Sequence, residues 1–234
     1  MYRPHSEPGP RIVLGGLILL AALLVGGCAS TGPATRPALS KEAGPTPTRE
    51  RPARPARVKV EPNIGFTVTE VVALSSDVRE MYHEALALLA RNDLEAGIAL
   101  LVTVTERSPD ATAPFIDLGI AHRRAGERDK AIASFTEALA STPDHPVAHN
   151  ELGITYRELG RFDEARRSYE QALTIYPGFH YARRNLAVLC DIYLADLACA
   201  LEHYERYSQD IPDDREVEIW VGDVRNRMPV TDEE

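Results

Sequence analysis

His145 and His149 stand four residues apart, the spacing at which two imidazoles on one helix face can grip a zinc ion. Pro146 lies between them and no glutamate completes an HExxH pattern, so a zinc-hydrolase reading fails. His180 could join them from the corresponding end of a neighbouring segment and complete a three-His set. Turn and packing roles fit these three positions better, and no metal is expected. Asp213 and Asp214 are adjacent carboxylates, read here as the acidic start of a helix rather than as an acid and a base. The chain holds no Gly-rich phosphate loop, no GxSxG and no Cys–His pairing. The residues therefore point away from an enzyme, and neither a cofactor nor a small-molecule substrate is expected. Three cysteines remain, Cys28, Cys190 and Cys199, each a source of thiolate chemistry.

Chain organisation decides what those cysteines can do. The 234 residues are 44% hydrophobic and 26% charged, too apolar for a disordered chain. Aromatics are 6% while Ala and Leu are abundant, which favours helix over a sandwich of strands. Formal net charge is −9, which argues against nucleic acid as the partner. Residues 1–60 carry nine Lys/Arg and three Asp/Glu, a net of +6, and residues 61–234 carry −15, so a basic front precedes an acidic body.

Ile12 to Val25 form a continuous apolar run, shorter than the ~20 residues of a membrane-spanning helix and suited to the core of a secretory signal. It ends in Val25-Gly26-Gly27-Cys28. This resembles a bacterial lipoprotein signal, with Val25 and Gly26 departing from the usual Leu and Ala or Ser. The resemblance implies removal of residues 1–27, a diacylglycerol thioether on Cys28 and an acylated mature N-terminus. Two or three acyl chains, at ~0.8 kcal/mol per buried methylene, anchor stably where one would be marginal. Ala29, in place of an inner-membrane-retaining Asp, favours the outer membrane by the same analogy. Residues 28–62 then read as a disordered Pro/Arg-rich tether, with seven prolines from Pro33 to Pro62 and a basic cluster at Arg49, Arg51, Arg54, Arg57 and Lys59. Residues 63–77 read as an extended strap.

The body repeats. Ala85, Gly119, Gly153 and Ala187 are spaced by 34. Gly97, Ala131, Ala165 and Ala200, then Leu101, Phe135, Tyr169 and Tyr204, then Pro109, Pro143, Pro177 and Pro212, follow at 34, 34 and 35. The final 35 places one inserted residue between Ala187 and Ala200. The pattern Leu152, Gly153, Tyr156, Gly160, Ala165, Tyr169, Ala172, Pro177 in residues 146–179 is similar to the tetratricopeptide repeat, and Phe115, Leu118, Gly119, Gly126, Ala131, Phe135, Ala138, Pro143 carry it in 112–145. Residues 78–111 and 180–214 are degenerate; the fourth lacks the turn glycine, and Tyr193-Leu194-Ala195-Asp196 stands there. The fold expected is all-α, a solenoid of three to four helix pairs over 78–212, closed by a capping helix at 213–228 and an acidic tail at 229–234. Small residues let paired helices approach, large ones fill the crossing, and one pair cannot bury its apolar face without a neighbour.

Such a stack holds other proteins. Tetratricopeptide domains generally bind on the concave face lined by the first helix of each unit. By motif position that face should show Ile116, Ile120, Arg123, Asn150, Ile154, Arg157 and Arg184, an aliphatic floor with cationic groups suited to an extended peptide or a carboxylate. Cys190 and Cys199 flank the unusual fourth turn; in an oxidising compartment they can form a disulfide, or they can be two small buried hydrophobes. Tyr181, Tyr193 and Tyr207 could support a partner or self contact. The functional expectation is a lipid-anchored, periplasm-facing adaptor with protein partners in the cell envelope. Its build resembles pilotins of type IV pilus secretins, Flp-type pilus assembly lipoproteins and repeat proteins accompanying TonB-type systems, and the fold does not choose among them. A peptide-binding chaperone or sensor for exported proteins and an accessory subunit of a cell-wall enzyme complex are the other classes left open.

Overall fold

The computed structural model describes residues 57–61, 65–69, 72 and 74–229. Cys28, the apolar run, most of the tether and the acidic tail from residue 230 lie outside the described residues. Of the two compact units into which the chain divides, 1–48 and 49–234, only the second is described.

That unit opens with a hairpin. Strand β1 (Arg57–Glu61) pairs antiparallel with β2 (Gly65–Thr69), Lys59 opposite Thr67. Extended structure therefore begins within the segment expected to be tether, ahead of the strap boundary at residue 62. Val58 and Val60 alternate with charged residues, a strand pattern that the surrounding prolines and arginines mask in composition. This hairpin is the one addition to an otherwise helical fold among the described residues.

Among the described residues nine α-helices follow: α1 (Ser76–Ala90), α2 (Leu94–Arg107), α3 (Thr112–Arg124), α4 (Arg128–Ser141), α5 (Pro146–Glu158), α6 (Phe162–Ile175), α7 (His180–Val188), α8 (Leu197–Asp210) and α9 (Arg215–Arg227). They pair as α1/α2, α3/α4, α5/α6 and α7/α8, and each second helix packs on the first helix of the next unit. The pairing follows from the small residues. A Cβ added at Gly119 would fall 2.5 Å from Phe135, and one at Gly153 would fall 2.5 Å from Tyr169. Those rings are fully buried over the bare glycine backbone, each contributing roughly 2–3 kcal/mol of burial. The α9 helix starts a fifth unit in register, since Gly222 follows Ala187 by 35 residues, but nothing lies within 4 Å of a Cβ built on it. Val217, Val221 and Val224 close the core instead.

Turns between paired helices need one residue with positive φ to reverse the chain. Gly126 (φ 79°) and Gly160 (φ 73°) supply it in the middle units. Asn92 (φ 63°) and Ala195 (φ 52°) occupy the equivalent place in the outer ones. At the fourth turn the extra residue is absorbed by a π-helical turn, Leu189–Tyr193, where the Leu194 amide donates to the Leu189 carbonyl five residues back. The Cys190 and Cys199 sulfurs lie 2.07 Å apart in a disulfide joining this turn to the start of α8.

Candidate functional site

The first helices α3, α5 and α7 neighbour one another, so their outward residues form one face. A polar seam links that face from unit to unit. The Tyr82 hydroxyl of α1 donates to Asp117 of α3. The Asn185 amide of α7 donates to the Asn150 carbonyl oxygen of α5 at 2.9 Å. The Arg184 guanidinium of α7 lies 5.1 Å from the centre of the Trp220 ring of α9. Each rung joins one motif position to the next position of the following unit, with separations of 35, 35 and 36 residues.

Between the first two rungs Glu151 is fully buried, with Arg123 Nη2 at 3.5 Å and the Asn150 amide at 3.4 Å. Arg123 also reaches Glu158 at 2.8 Å, and Glu158 in turn holds Arg128 at 3.0 Å. A buried carboxylate requires such partners. Loss of solvent raises the Asp117 pKa to about 6 against the lowering effect of the Tyr82 hydroxyl, and the Glu151 charge raises it further. Burial also raises the pKa of the Tyr169 phenol, whose oxygen is enclosed with no hydrogen-bond partner.

This network sorts the seven residues expected on the face. Ile116 is buried in the core between α3 and α5, and Asn150 is buried beneath its seam partner Asn185. Arg123 is engaged by two glutamates of the neighbouring unit. Ile120, Ile154, Arg157 and Arg184 keep partial exposure. Arg157 lies 5.9 Å over the Tyr193 ring, and among the described residues no carboxylate pairs with Arg157 or Arg184. Sequence reasoning missed the Asp117–Glu151 acidic pair. The spacing alone did not reveal it, because the equivalent positions His83, Asp117, Glu151 and Asn185, 34 apart, carry four different residue types.

The histidines have structural work. His145 caps α5, its Nδ1 accepting from the Ala148 amide at 3.4 Å, and burial lowers its pKa to about 4, helped by His149. His149 Nε2 bonds the Pro143 carbonyl at 2.9 Å, and the His180 ring lies tilted against Tyr181, ring centres 4.1 Å apart. Cys190, Asp196 and Cys199 are the one group of three metal-ligand types that meets among the described residues, and its two sulfurs are bonded to each other.

The family model for the tetratricopeptide repeat matches residues 82–146 and again 116–180. Residues 82–180 are tetratricopeptide repeats. The fold agrees: the chain is similar to the structure of MamA residues 41 to the end from Desulfovibrio magneticus RS-1, at 18% identity and TM-score 0.60, over 66% of this chain and 87% of that one. It is similar to Pseudomonas aeruginosa PilF at 21% identity and TM-score 0.58, over 64% and 68%. A thermophilic repeat protein of Thermus thermophilus matches at 22% identity and TM-score 0.55, over 64% and 82%. No curated protein matches the chain. Tetratricopeptide repeats mediate protein–protein interactions, and the repeat region of this chain has the architecture of such a scaffold.

Proposed function

We propose that the chain is a lipid-anchored adaptor, facing the periplasm, whose first-helix face holds a protein partner within a cell-envelope assembly for transport or for pilus or secretion machinery. The observation that carries this is the face itself, where Ile120 and Ile154 offer apolar surface beside Arg157 and Arg184, two cations without carboxylate partners among the described residues. A partner's carboxylate and aliphatic side chains complement that set. The anchoring half rests on the Val-Gly-Gly-Cys28 pattern after an apolar run, and the Cys190–Cys199 bridge suits an oxidising compartment. No described helix is long and apolar enough to cross a membrane. The adaptor itself performs no catalysis in this reading.

Two experiments test it. Metabolic palmitate labelling should mark the protein, and Cys28→Ser should lose both label and membrane association; an unlabelled wild-type chain removes the anchor. In-cell crosslinking followed by mass spectrometry should give one stoichiometric envelope partner, and Ile154→Ser with Arg184→Gln should reduce its yield at least five-fold. Equal yield from a folded variant removes this face as the binding site.

A further inference from the structure

The fourth unit departs from its neighbours at one place, and that departure exposes apolar surface. At the turn between paired helices the four units carry Arg91, Ala125, Leu159 and Tyr193 in equivalent positions, spaced by 34. Leu159 is 39% exposed and Tyr193 44%, and Ile192 beside it is 65% exposed. They are three of the five exposed large hydrophobics among the described residues. The Tyr193 ring is tilted on Phe162 of the preceding unit at 5.0 Å, which joins the third and fourth turns into one edge. Arg157 reaches the same ring at 5.9 Å from the first-helix face and has no carboxylate partner among the described residues.

The local backbone is costly to build. It uses a π-helical turn, a non-glycine residue at φ 52° and a disulfide to hold both. Left-handed geometry in a residue with a Cβ costs about 1 kcal/mol. Conformations of this kind concentrate where they aim side chains at a partner.

We propose that this turn edge, formed by Leu159, Phe162, Ile192 and Tyr193 with Arg157 at its margin, is a second docking surface that takes a partner segment combining an acidic residue with a large apolar side chain. The apolar residue covers Ile192 and Tyr193, and the carboxylate reaches Arg157. Local charge decides the partner's sign: Arg157 lies over the Tyr193 ring with no carboxylate partner among the described residues, so a carboxylate beside the apolar contact complements it at short range. The net −15 of residues 61–234 opposes acidic segments at long range and makes binding tighten as salt is raised. The proposal goes beyond the first-helix face, which it adjoins only through Arg157.

The test uses the full chain and a synthetic library of diverse dodecapeptides, with the selected peptide then titrated by fluorescence anisotropy. Wild type should enrich peptides pairing Asp or Glu with Phe, Leu or Ile. Ile192→Ser with Tyr193→Ser should weaken the selected peptide at least ten-fold, whereas Arg184→Gln should change it less than two-fold. Both edge side chains are exposed, so the double variant should keep the wild-type circular dichroism. If it does not, hydrogen exchange on wild type decides: bound peptide should protect amides 189–194. Undiminished binding by the folded double variant, no protection there, or selected peptides without acids overturns the proposal. Loss of binding on Arg184→Gln alone would place the peptide on the first-helix face and sink the edge. Absence of any enriched peptide would sink both surfaces. Concentration-dependent dimerisation abolished by the edge variant would identify a second copy as the occupant and overturn the assignment to an acidic partner.

Discussion

Asp117 is the side chain whose ionisation state most affects the seam. Its carboxyl has lost solvent and faces the buried Glu151 charge, with Tyr82 supplying one hydrogen bond. Its folded pKa of about 6 lies above the ordinary 3.8, so between those values the folded protein holds a proton that the unfolded chain releases. Stability therefore falls as pH rises across that window, by about 3 kcal/mol from this residue, and the loss is complete above pH 6. Asp117→Asn keeps an acceptor for Tyr82 and removes the charge. The variant should match wild type in urea unfolding near pH 4 and exceed it by about 3 kcal/mol at pH 7.5. Equal stability at both pH values would show that the carboxyl is adequately solvated. His145 acts in the opposite sense, since its lowered pKa makes stability fall as pH drops from 6.5 towards 4, so the comparison must be between variant and wild type at each pH. The seam was only partly legible beforehand. Gly119, Gly153, Phe135 and Tyr169 announce themselves by repeating one type at one spacing. The rungs Tyr82–Asp117, Asn150–Asn185 and Arg184–Trp220 use different chemistry at the same positions, so no residue pattern marks them.

Helix turns are the elements on which the units differ. Asn92, Gly126, Gly160 and Ala195 all reverse the chain with positive φ, but only the fourth turn also contains an inserted residue. The 35-residue spacing between Ala165 and Ala200 announced that insertion. It could not announce a π-helical turn, because a longer loop would satisfy the same count. The same limit applied to Cys190 and Cys199, whose bridging depends on a Cα separation, 5.9 Å here, that spacing alone leaves open. The disulfide closes a loop spanning nine residues across Ala195. Loop-closure entropy for that length is roughly 2–3 kcal/mol, and the same bridge restrains a turn that no glycine relaxes. Cys190→Ser with Cys199→Ser should lower the unfolding free energy by about that amount. Adding Ala195→Gly should recover roughly 1 kcal/mol by relieving the positive φ. Unchanged stability in the double serine variant would show that packing of Leu189 and Tyr204 holds the turn unaided. At this scale the hairpin was the element missed, since two valines among charges are a weak signal beside seven prolines.

Stability in a stack of pairs is a sum of unit and neighbour terms, and those terms are unequal here. At the N-terminal end the core is Ala85, Leu89, Leu101, Leu118 and Ala121, small and aliphatic side chains on α1 to α3. At the other end Tyr169, Tyr204 and Tyr207 join Leu186, Leu189 and the three α9 valines in one cluster, with Trp220 packed against it. Ion pairs reinforce that end, where Arg227 of α9 binds Asp191 in the π-helical turn and Asp223 at 2.9 Å. Each large buried ring contributes more than an alanine by roughly 1–2 kcal/mol, so the last units should outlast the first. Native-state hydrogen exchange reads the order directly. Amides of α1 and α2 should exchange through openings at least about 2 kcal/mol cheaper than those of α7, α8 and α9, close to a thirty-fold difference in protection. The gradient also fits the proposed work, because the docking edge and the Arg184 end of the first-helix face would then sit on the firmest part of the stack, where a partner orders little on binding. Uniform protection from α1 to α9 would mean that the units unfold as one cooperative body, and protection highest at α1 would reverse the argument from core composition.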